Sequence, residues 1–198
     1  LEAVTLAPAR CSQILDVSQA QACRDAVAAT VAACGRLDVL CNIAGACRAD
    51  HFLDIRLGDW DRMFAINVTS LVAICQEALP HLCESRGSIV NMSSASALCG
   101  AAYWSSYAAS KAAVVSLSKC LAVEYSGKGV RVNCINPGPI RSRMIESLDG
   151  GHGIGEAQAG ASLGAFASMF KYYGTELNMR RQELLMAIGG YDALVWEG

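Results

Sequence analysis

The sequence predicts an α/β fold: a doubly wound parallel sheet with helices on both faces, in three α/β/α layers. Strand-like apolar runs alternate along the chain with segments of helical periodicity, which is the pattern of such a sheet. The composition agrees, because 53% of the residues are hydrophobic and only 17% are charged, so much of the chain must be buried. A length of 198 residues fits a single domain with a substantial core.

Charge and hydropathy exclude two kinds of partner. The net charge is −2 and no basic run is present, so we expect neither a nucleic-acid nor an anionic membrane partner. No apolar stretch reaches the length of a membrane span. The chain starts at Leu1 and shows no charged-then-apolar leader. These features together predict a cytoplasmic protein.

The ten cysteines include no Cys-x-x-Cys pair, and all of them lie at or before Cys134. Most stand in apolar runs, which predicts buried, reduced thiols rather than a disulfide framework or a zinc site. The three histidines, His51, His81 and His152, are scattered, and surface or loop roles are favoured over ligand roles. We therefore predict no metal centre.

The first half of the chain predicts two helices and two strands. Residues 1–10 resemble a helix tail and loop, and residues 13–17 a short strand. An Ala-rich helix follows over 19–34 and stops at Gly35. Residues 37–42 are apolar enough for a central strand, which ends in small residues over 42–45.

The middle of the chain predicts a loop or turn over 51–57 and a long helix over 59–83. Pro80 and then the 85–87 segment mark the end of that helix. The sequence does not decide whether the helix is interrupted. Asn67 stands in its interior, where asparagine is mildly unfavourable and tends to have a reason.

The next segments predict a strand over 88–93, a helix over 107–125 and a strand over 129–136. A turn of sequence Pro-Gly-Pro-Ile follows over 137–140.

Three side chains suit proton transfer. Tyr107 and Lys111 are four residues apart and share one helix face, and Ser94 lies thirteen residues before Tyr107, at a strand end. A lysine cation favours the phenolate, so we expect Lys111 to lower the pKa of Tyr107 below its usual value of about 10. Such a phenol can exchange a proton with a substrate oxygen, and a serine hydroxyl can hold that oxygen.

Competing assignments exist for this group. A Tyr-x-x-x-Lys pair alone is common on amphipathic helices and is then a surface or packing feature. Ser93 and Ser96 compete with Ser94 for the role of hydroxyl donor. Tyr103 competes with Tyr107 but lacks a lysine four residues later.

Five motifs agree in order and spacing with one family: the 42–45 turn, Asn67, Ser94, the Tyr107–Lys111 pair and the 136–140 turn. Over about residues 12–146 the chain resembles the short-chain dehydrogenase/reductase family, of the classical type. The resemblance implies a Rossmann-like fold and an NAD(P)-dependent oxidoreductase that interconverts a carbonyl and a secondary alcohol by hydride transfer.

The resemblance also implies catalytic roles. Tyr107 is general acid in reduction and general base in oxidation, and Ser94 orients the substrate oxygen. Lys111 lowers the tyrosine pKa and holds the ribose hydroxyls. Asn67 distorts its helix and binds a water that links the lysine to solvent. The alternative for Asn67 is a side chain that bonds its own helix backbone.

For the cofactor, NAD or NADP, the resemblance places the Asp16 carboxylate, beside Val17, at the adenine amine. Asp16 could equally cap the next helix, as Ser18 could. Asn42, Ala44 and Gly45 lie against the adenosine part and steady the sheet, although Ile43 replaces a second asparagine of the family.

The backbone of Pro137, Gly138 and Ile140 would hold the nicotinamide carboxamide, with help from the Ser142 hydroxyl where threonine is usual. The alternative is an ordinary Pro-Gly turn. The helices over 59–83 and 107–125 form oligomer contacts in the family, which predicts a homodimer or homotetramer acting on a small-molecule substrate.

Both ends depart from the family. Its opening strand and glycine-rich turn, which cradles the pyrophosphate, have no counterpart in residues 1–17, where no glycine occurs. We expect a chain truncated at its N-terminus by roughly 30 residues or more. The alternative function is therefore a catalytically inactive fragment, or an interaction or regulatory protein.

At the other end, residues 147–198 form an atypical segment after the family-like core, 1–146. Residues 149–155 are glycine-rich without a preceding strand, which predicts a mobile loop and not a dinucleotide fingerprint. An amphipathic helix is predicted over 175–188 and a degenerate strand after it. Neither the substrate nor the choice between NAD and NADP is encoded in a readable motif.

Overall fold

The computed structural model describes residues 12–100 and 102–138, and these form three strands and four α-helices. All of them belong to one unit of the chain, Leu1–Gly153, and the other unit, Ile154–Gly198, lies outside the described residues. The predicted boundary at 146, the glycine-rich loop and the helix over 175–188 lie outside them too and stay predictions. The elements in chain order are α1 (Ala20–Cys34), β1 (Val39–Asn42), α2 (Leu57–Phe64), α3 (Ser70–Ser85), β2 (Ser88–Met92), α4 (Ser105–Ser126) and β3 (Arg131–Ile135).

The three strands form a parallel sheet in the order β1-β2-β3. In its register, Val39 lies beside Ser88, and Ser88 lies beside Arg131. Helices α2 and α3 connect β1 to β2, and α4 connects β2 to β3, which are the crossovers that parallel neighbours require. The carboxyl ends of all three strands therefore lie at one edge of the sheet. The predicted parallel α/β class is confirmed.

Two strand predictions need correction. Residues 13–17 form no strand: they are irregular up to a turn at Val17, and the Ile14 side chain is fully exposed. A strand needs a neighbour to pair its backbone groups, and the described residues supply none here. The second prediction is the central strand over 37–42. This strand is β1, which lies at an edge of the sheet that the described residues form, whereas β2 is central.

Helix α1 ends as predicted. Gly35 adopts a left-handed φ of 78°, and its N–H donates to the Val31 carbonyl at 2.8 Å. The helix begins after Gln19, which gives no side-chain cap, so neither Asp16 nor Ser18 is the N-cap. Instead the Asp16 carboxylate accepts bonds from the Ser18 N–H and hydroxyl, at 3.0 and 2.8 Å.

The long helix between β1 and β2 is interrupted at Asn67. A five-residue π turn, Ala65–Thr69, separates α2 from α3. Pro80 lies inside α3 on its exposed side, and the helix continues to Ser85. The sequence did not decide whether this helix is interrupted, and the structure places the interruption at Asn67.

The core lies between the sheet and the helices α1, α3 and α4. Leu40, Ile89 and Val132 face this core, together with buried residues of the helices. On the opposite face of the sheet, the Val39 and Ile135 side chains are 56% and 48% exposed. Within the described part of the chain, the helices thus cover one face of the sheet.

A buried polar chain crosses this core. Asn42 Nδ2 donates to Asn91 Oδ1 at 2.9 Å and to Cys75 Sγ at 3.4 Å. Asn91 Nδ2 in turn donates to Ser118 Oγ at 2.9 Å, and Ser118 Oγ donates to the Val114 carbonyl at 2.7 Å. Because buried amides are costly when unpaired, this chain fixes β1, β2 and α4 against one another.

The thiols are less buried than the sequence indicates. The nine cysteines within the described ranges are all free, but Cys23 and Cys75 alone among them are buried, and Cys34, Cys41 and Cys120 are exposed. Burial raises the pKa of the Cys75 thiol to about 11, so it stays protonated and inert.

One helical segment, Leu57–Ser85, is long and apolar enough to cross a membrane by length and composition, contrary to the sequence-based expectation. Its most apolar window has a mean hydropathy of 1.3, but 44% of that window is buried within the protein. The buried residues of α3 include Leu71, Leu79 and Leu82, which belong to the core. The segment is therefore explained by its packing as a core helix.

Candidate active site

The candidate site lies at the carboxyl edge of the sheet, where β2 ends beside the first turns of α4. Tyr107 and Lys111 are only 8% and 4% exposed there. The Lys111 ammonium donates to the carbonyl of Met92, the last residue of β2, at 3.0 Å. This is the edge at which open parallel sheets bind their ligands.

The Ser94 hydroxyl lies close enough to the Tyr107 side chain to lower the pKa of that phenol. Ser94 also accepts a bond from the Ser96 N–H at 3.2 Å, which orients its side chain at the start of a short helical turn. Ser93 is committed elsewhere, because its hydroxyl donates to the Lys111 carbonyl at 2.7 Å. Of the three competing serines, the geometry favours Ser94 as the partner of Tyr107.

The pKa of Tyr107 shifts in the opposite direction from the prediction. Burial is the largest cause and raises the pKa above its ordinary value, while the nearby Ser94 hydroxyl lowers it and the nearby Cys47 thiol raises it. Lys111 does not reverse this, because its Nζ lies over the tyrosine ring, 5.9 Å from the centroid, and points to Met92. Burial also lowers the pKa of Lys111 itself.

Asn67 connects three segments instead of bonding its own helix backbone. Its Oδ1 accepts from the Ala46 N–H, and its Nδ2 donates to the Ala46 carbonyl, both at 2.9 Å. The same Nδ2 donates to Ser110 Oγ on α4 at 2.9 Å. The π turn therefore presents this asparagine to the loop after β1 and to the helix that carries Tyr107.

Gly45 permits this close assembly. A Cβ at this position would lie 3.1 Å from Asn67 Oδ1 and 3.1 Å from Lys111 Nζ. A side chain here would push the lysine or the asparagine away, which explains why the turn after β1 ends in glycine.

Two members of the site were missed by the sequence reasoning. Ser110 is fully buried, and its hydroxyl donates to the Tyr107 carbonyl at 2.7 Å. Trp104 packs edge-on against the Tyr107 ring, with 5.5 Å between the centroids. Their positions three residues after and three residues before Tyr107, one helical turn away, are the signal that could have found them.

Tyr103 occupies a different place from Tyr107. Its backbone has a left-handed φ of 70°, and its carbonyl accepts from the Asp50 N–H at 2.9 Å. Its ring meets His51 edge-on, with 4.5 Å between the centroids. This residue therefore joins the 50–51 loop to the segment before α4.

The residues predicted to bind a cofactor are only partly brought together. Asp16 is exposed, and its two bonds from Ser18 hold its pKa below the usual value. The Val17 carbonyl accepts from Cys23 Sγ at 3.5 Å. The Asn42 amide donates to Asn91 in the polar chain, and this contact stabilises the sheet.

The turn after β3 is described only in part. The Pro137 carbonyl accepts from the Ala95 N–H at 2.9 Å, and Gly138 is exposed. Asn136 Oδ1 is buried and has no hydrogen-bond partner among the residues that the structure describes. Ile140 and Ser142 lie outside the described residues, so their predicted roles stay predictions. In the described ranges, no group of three or more His, Cys, Asp or Glu residues could hold a metal ion.

Comparison with known proteins defines the class. The family model described as enoyl-(acyl carrier protein) reductase matches residues 3–169, which is most of the chain. The chain therefore belongs to the short-chain dehydrogenase/reductase family, and its fold is the Rossmann-like, three-layer α/β/α fold of its structural neighbours.

Individual relatives share this part of the chain. The chain is 44% identical over 145 residues to a 2-keto-3-deoxy-L-fuconate dehydrogenase of Xanthomonas campestris pv. campestris, a match that covers 70% of this chain and 47% of that protein. It is 35% identical to a 3-oxoacyl-[acyl-carrier-protein] reductase of Thermotoga maritima, covering 68% and 55% respectively. The chain thus spans about half the length of the curated relatives it matches.

Solved structures agree. A short-chain dehydrogenase/reductase from Burkholderia xenovorans superposes with a TM-score of 0.68 at 29% identity, over 80% of this chain and 66% of that one. The protein ElxO, solved with NADP bound, gives a TM-score of 0.64 at 32% identity, over 70% of this chain and 57% of that one.

Proposed function

We propose that this chain forms the catalytic core of an NAD(P)-dependent oxidoreductase that interconverts a small-molecule carbonyl and a secondary alcohol. The observation that carries the proposal is the group at the end of β2, in which Ser94 lies beside the buried Tyr107 and the buried Lys111 follows one turn further along α4. Membership of a family of dehydrogenases and reductases supports it.

In this proposal Tyr107 is the general acid and base. Its phenol gives a proton to the substrate oxygen in reduction and takes it back in oxidation. The phenol is protonated at neutral pH, as the first role requires, but the burial that raises its pKa also makes it a weaker acid. Ser94 donates a hydrogen bond to the same oxygen and so fixes its position relative to Tyr107.

Lys111 and Asn67 support that exchange. The buried Lys111 ammonium would hold ribose hydroxyls and favour the phenolate whenever a proton leaves Tyr107. Asn67 would complete a proton relay from the lysine to solvent through a bound water. Its two bonds to Ala46 keep the loop after β1 beside the lysine.

The described residues fit the nicotinamide part of the cofactor better than its pyrophosphate part. Asn136 Oδ1 is an acceptor at the carboxyl edge that no described residue pairs, and Lys111 and Tyr107 offer donors. Asp16 and Val17 with the turn at Asn42, Ala44 and Gly45 are the proposed adenosine side. NAD or NADP, when bound, supplies or accepts the hydride. The turn at Pro137 and Gly138, together with Ile140 and Ser142, would hold the carboxamide.

Assembly and location are also part of the proposal. A groove of about 570 Å³ is lined by residues of α3 and α4 and by Lys128, and none of the proposed catalytic residues lines it. Its walls include the apolar Leu79, Leu117 and Leu121. This groove supports a homodimer or homotetramer that packs through these helices. Membership of this family supports a cytoplasmic location.

The first experiment is cofactor binding by the chain, with NADH and NADPH titrated separately and followed by fluorescence and thermal shift. We expect saturable binding of one of them. The Tyr107→Phe, Lys111→Ala double variant should lose the binding, whereas Tyr103→Phe should keep it, because Tyr103 lies in the 50–51 loop contact.

Turnover with carbonyl substrates then tests the chemistry. Tyr107→Phe should abolish it while thermal unfolding is unchanged, and Ser94→Ala should reduce it by about a hundredfold. A folded chain that binds neither cofactor would overturn the proposal and favour an interaction or regulatory protein.

A further inference from the structure

Ser110 is the residue through which Asn67 reaches the backbone of Tyr107. It lies on α4 directly before Lys111 and is completely buried. Its Oγ accepts from Asn67 Nδ2 at 2.9 Å and donates to the Tyr107 carbonyl at 2.7 Å. The hydroxyl proton and a lone pair are both used, so the π turn and the helix are joined through one side chain.

The connection continues to the lysine. Asn67 holds Ala46 by two hydrogen bonds, and Ala46 follows Gly45, which lies close to both Asn67 and Lys111 Nζ. A shift of Asn67 therefore displaces the loop that closes over the lysine. The contacts run without a gap from Gly45 through Asn67 and Ser110 to Tyr107.

We propose that Ser110 is a positioning residue, which sets the placement of Tyr107 and Lys111 by coupling α4 to the π turn. The inference rests on the proposed function of these two residues in proton transfer. Ser110 itself faces Asn67 and the helix backbone, so it acts through them and touches no substrate.

The same helix contains a matched serine with the same bonds. Ser118 is 3% exposed, accepts from an asparagine amide, Asn91 Nδ2, at 2.9 Å, and donates to a helix carbonyl, that of Val114, at 2.7 Å. It lies two turns beyond Lys111 and anchors the helix to β2. Loss of the Ser118 hydroxyl removes the described acceptor of Asn91 Nδ2, whereas Asn67 Nδ2 still has the Ala46 carbonyl and Met63 Sδ within reach when the Ser110 hydroxyl is lost. The loss of stability should therefore be no larger in Ser110→Ala than in Ser118→Ala.

The experiment compares Ser110→Ala with Ser118→Ala in the full chain. Thermal unfolding should move to lower temperature in both, and no further in Ser110→Ala than in Ser118→Ala. Turnover should fall about tenfold in Ser110→Ala with little change in KM, because a small misplacement of reacting groups acts on kcat. Ser118→Ala should keep the turnover of the parent chain.

A second measurement does not depend on turnover. Tyr107 can be titrated by NMR in protein labelled with ¹³C at the tyrosine Cζ, with the signal assigned by Tyr107→Phe. Burial is the largest cause of the raised pKa of this phenol. A loosened Tyr107 admits water, so it should titrate at lower pH in Ser110→Ala and unchanged in Ser118→Ala.

The outcomes separate the two proposals. Equal effects of both variants on turnover and on the titration of Tyr107, or no effect of Ser110→Ala on either, would overturn the positioning role. If the parent chain binds no cofactor and turns nothing over, the proposed function fails. The titration alone then decides whether Ser110 positions Tyr107.

Discussion

At the scale of residues, burial rather than pairwise charge governs the two central groups. Tyr107 and Lys111 are both almost inaccessible, and burial shifts both toward their neutral forms: the pKa of the phenol is raised and that of the lysine is lowered. The ammonium has one described hydrogen bond, to the Met92 carbonyl. Lys111 is therefore held in the site at a cost to stability, as expected of functional groups.

Replacement of Lys111 by methionine should expose that cost. The variant keeps the unbranched stem of the side chain, one atom shorter, and removes the buried charge, so its free energy of unfolding at pH 7 should rise by about 1 kcal/mol while turnover is lost. Lys119→Met is the control, because Lys119 lies on the same helix but is exposed. Denaturant unfolding of the three proteins measures the difference.

The pH dependence of the free energy of unfolding tests the same cost of the buried Lys111 charge. The pKa of Lys111 is lowered in the folded state, so between that value and the usual one near 10.4 the unfolded chain binds more protons. The stability of the parent chain then rises with pH across this window. The advantage of Lys111→Met should shrink as the pH rises through it. An advantage that stays constant, or a variant less stable than the parent at pH 7, would contradict the argument.

The sequence identified Ser94, Tyr107, Lys111 and Asn67 because their types and spacing are specific. It could not give the direction of the Tyr107 shift, since desolvation depends on how the whole edge of the sheet packs around the ring. Ser110 was not singled out, because its spacing of one turn from Tyr107 gains meaning only when its partners, Asn67 and the Tyr107 carbonyl, are known. The proposed roles of these residues await the experiments above.

At the scale of elements, local signals predicted the helices well and the first strand wrongly. Helix α1 has apolar periodicity and a glycine stop, and both are properties of neighbouring residues. Residues 13–17 have strand-like composition, but a strand exists only when another strand pairs with it. The sequence could not decide whether the long helix is interrupted, because the π turn is held by contacts of Asn67 with Ala46 and Ser110 that are not local.

The junction between α3 and β2 offers a test of element packing at Gly87. Its N–H donates to the Leu82 carbonyl at 2.9 Å, and its carbonyl accepts from the Arg131 N–H at 3.1 Å. A Cβ here would overlap the Asp38 carbonyl oxygen and lie 2.7 Å from Leu82 Cδ2. Gly87→Ala should therefore lower the free energy of unfolding by about 2 kcal/mol, as overpacking against backbone does.

Gly127→Ala is the matched control. It stands after α4 with a helical φ of −63°, and its added methyl group meets nothing within 4 Å. This variant should unfold like the parent or slightly later, because alanine restricts the unfolded chain. Thermal and urea unfolding of both variants would reject the packing argument if Gly87→Ala were as stable as Gly127→Ala.

At the scale of the whole molecule, α3 and α4 pack against the core and also line an apolar groove of about 570 Å³, to which Leu79, Leu117 and Leu121 contribute as well. Gln76, Glu124 and Lys128 contribute polar groups to a lining that is otherwise largely aliphatic. An apolar centre with polar neighbours is the composition of a contact between subunits. The predicted homo-oligomer would bury this surface.

Leu121→Glu tests that assembly. Leu121 is half-buried in the groove, so a carboxylate there would be desolvated on association, and we expect the oligomer to dissociate to monomers in light scattering after gel filtration. Val123→Glu changes the same helix at an 81% exposed position outside the groove, and it should leave the mass unchanged. Thermal unfolding of both variants separates loss of association from loss of fold. A parent chain that is monomeric at every concentration, or an assembly that Val123→Glu disrupts and Leu121→Glu does not, would place the contact elsewhere.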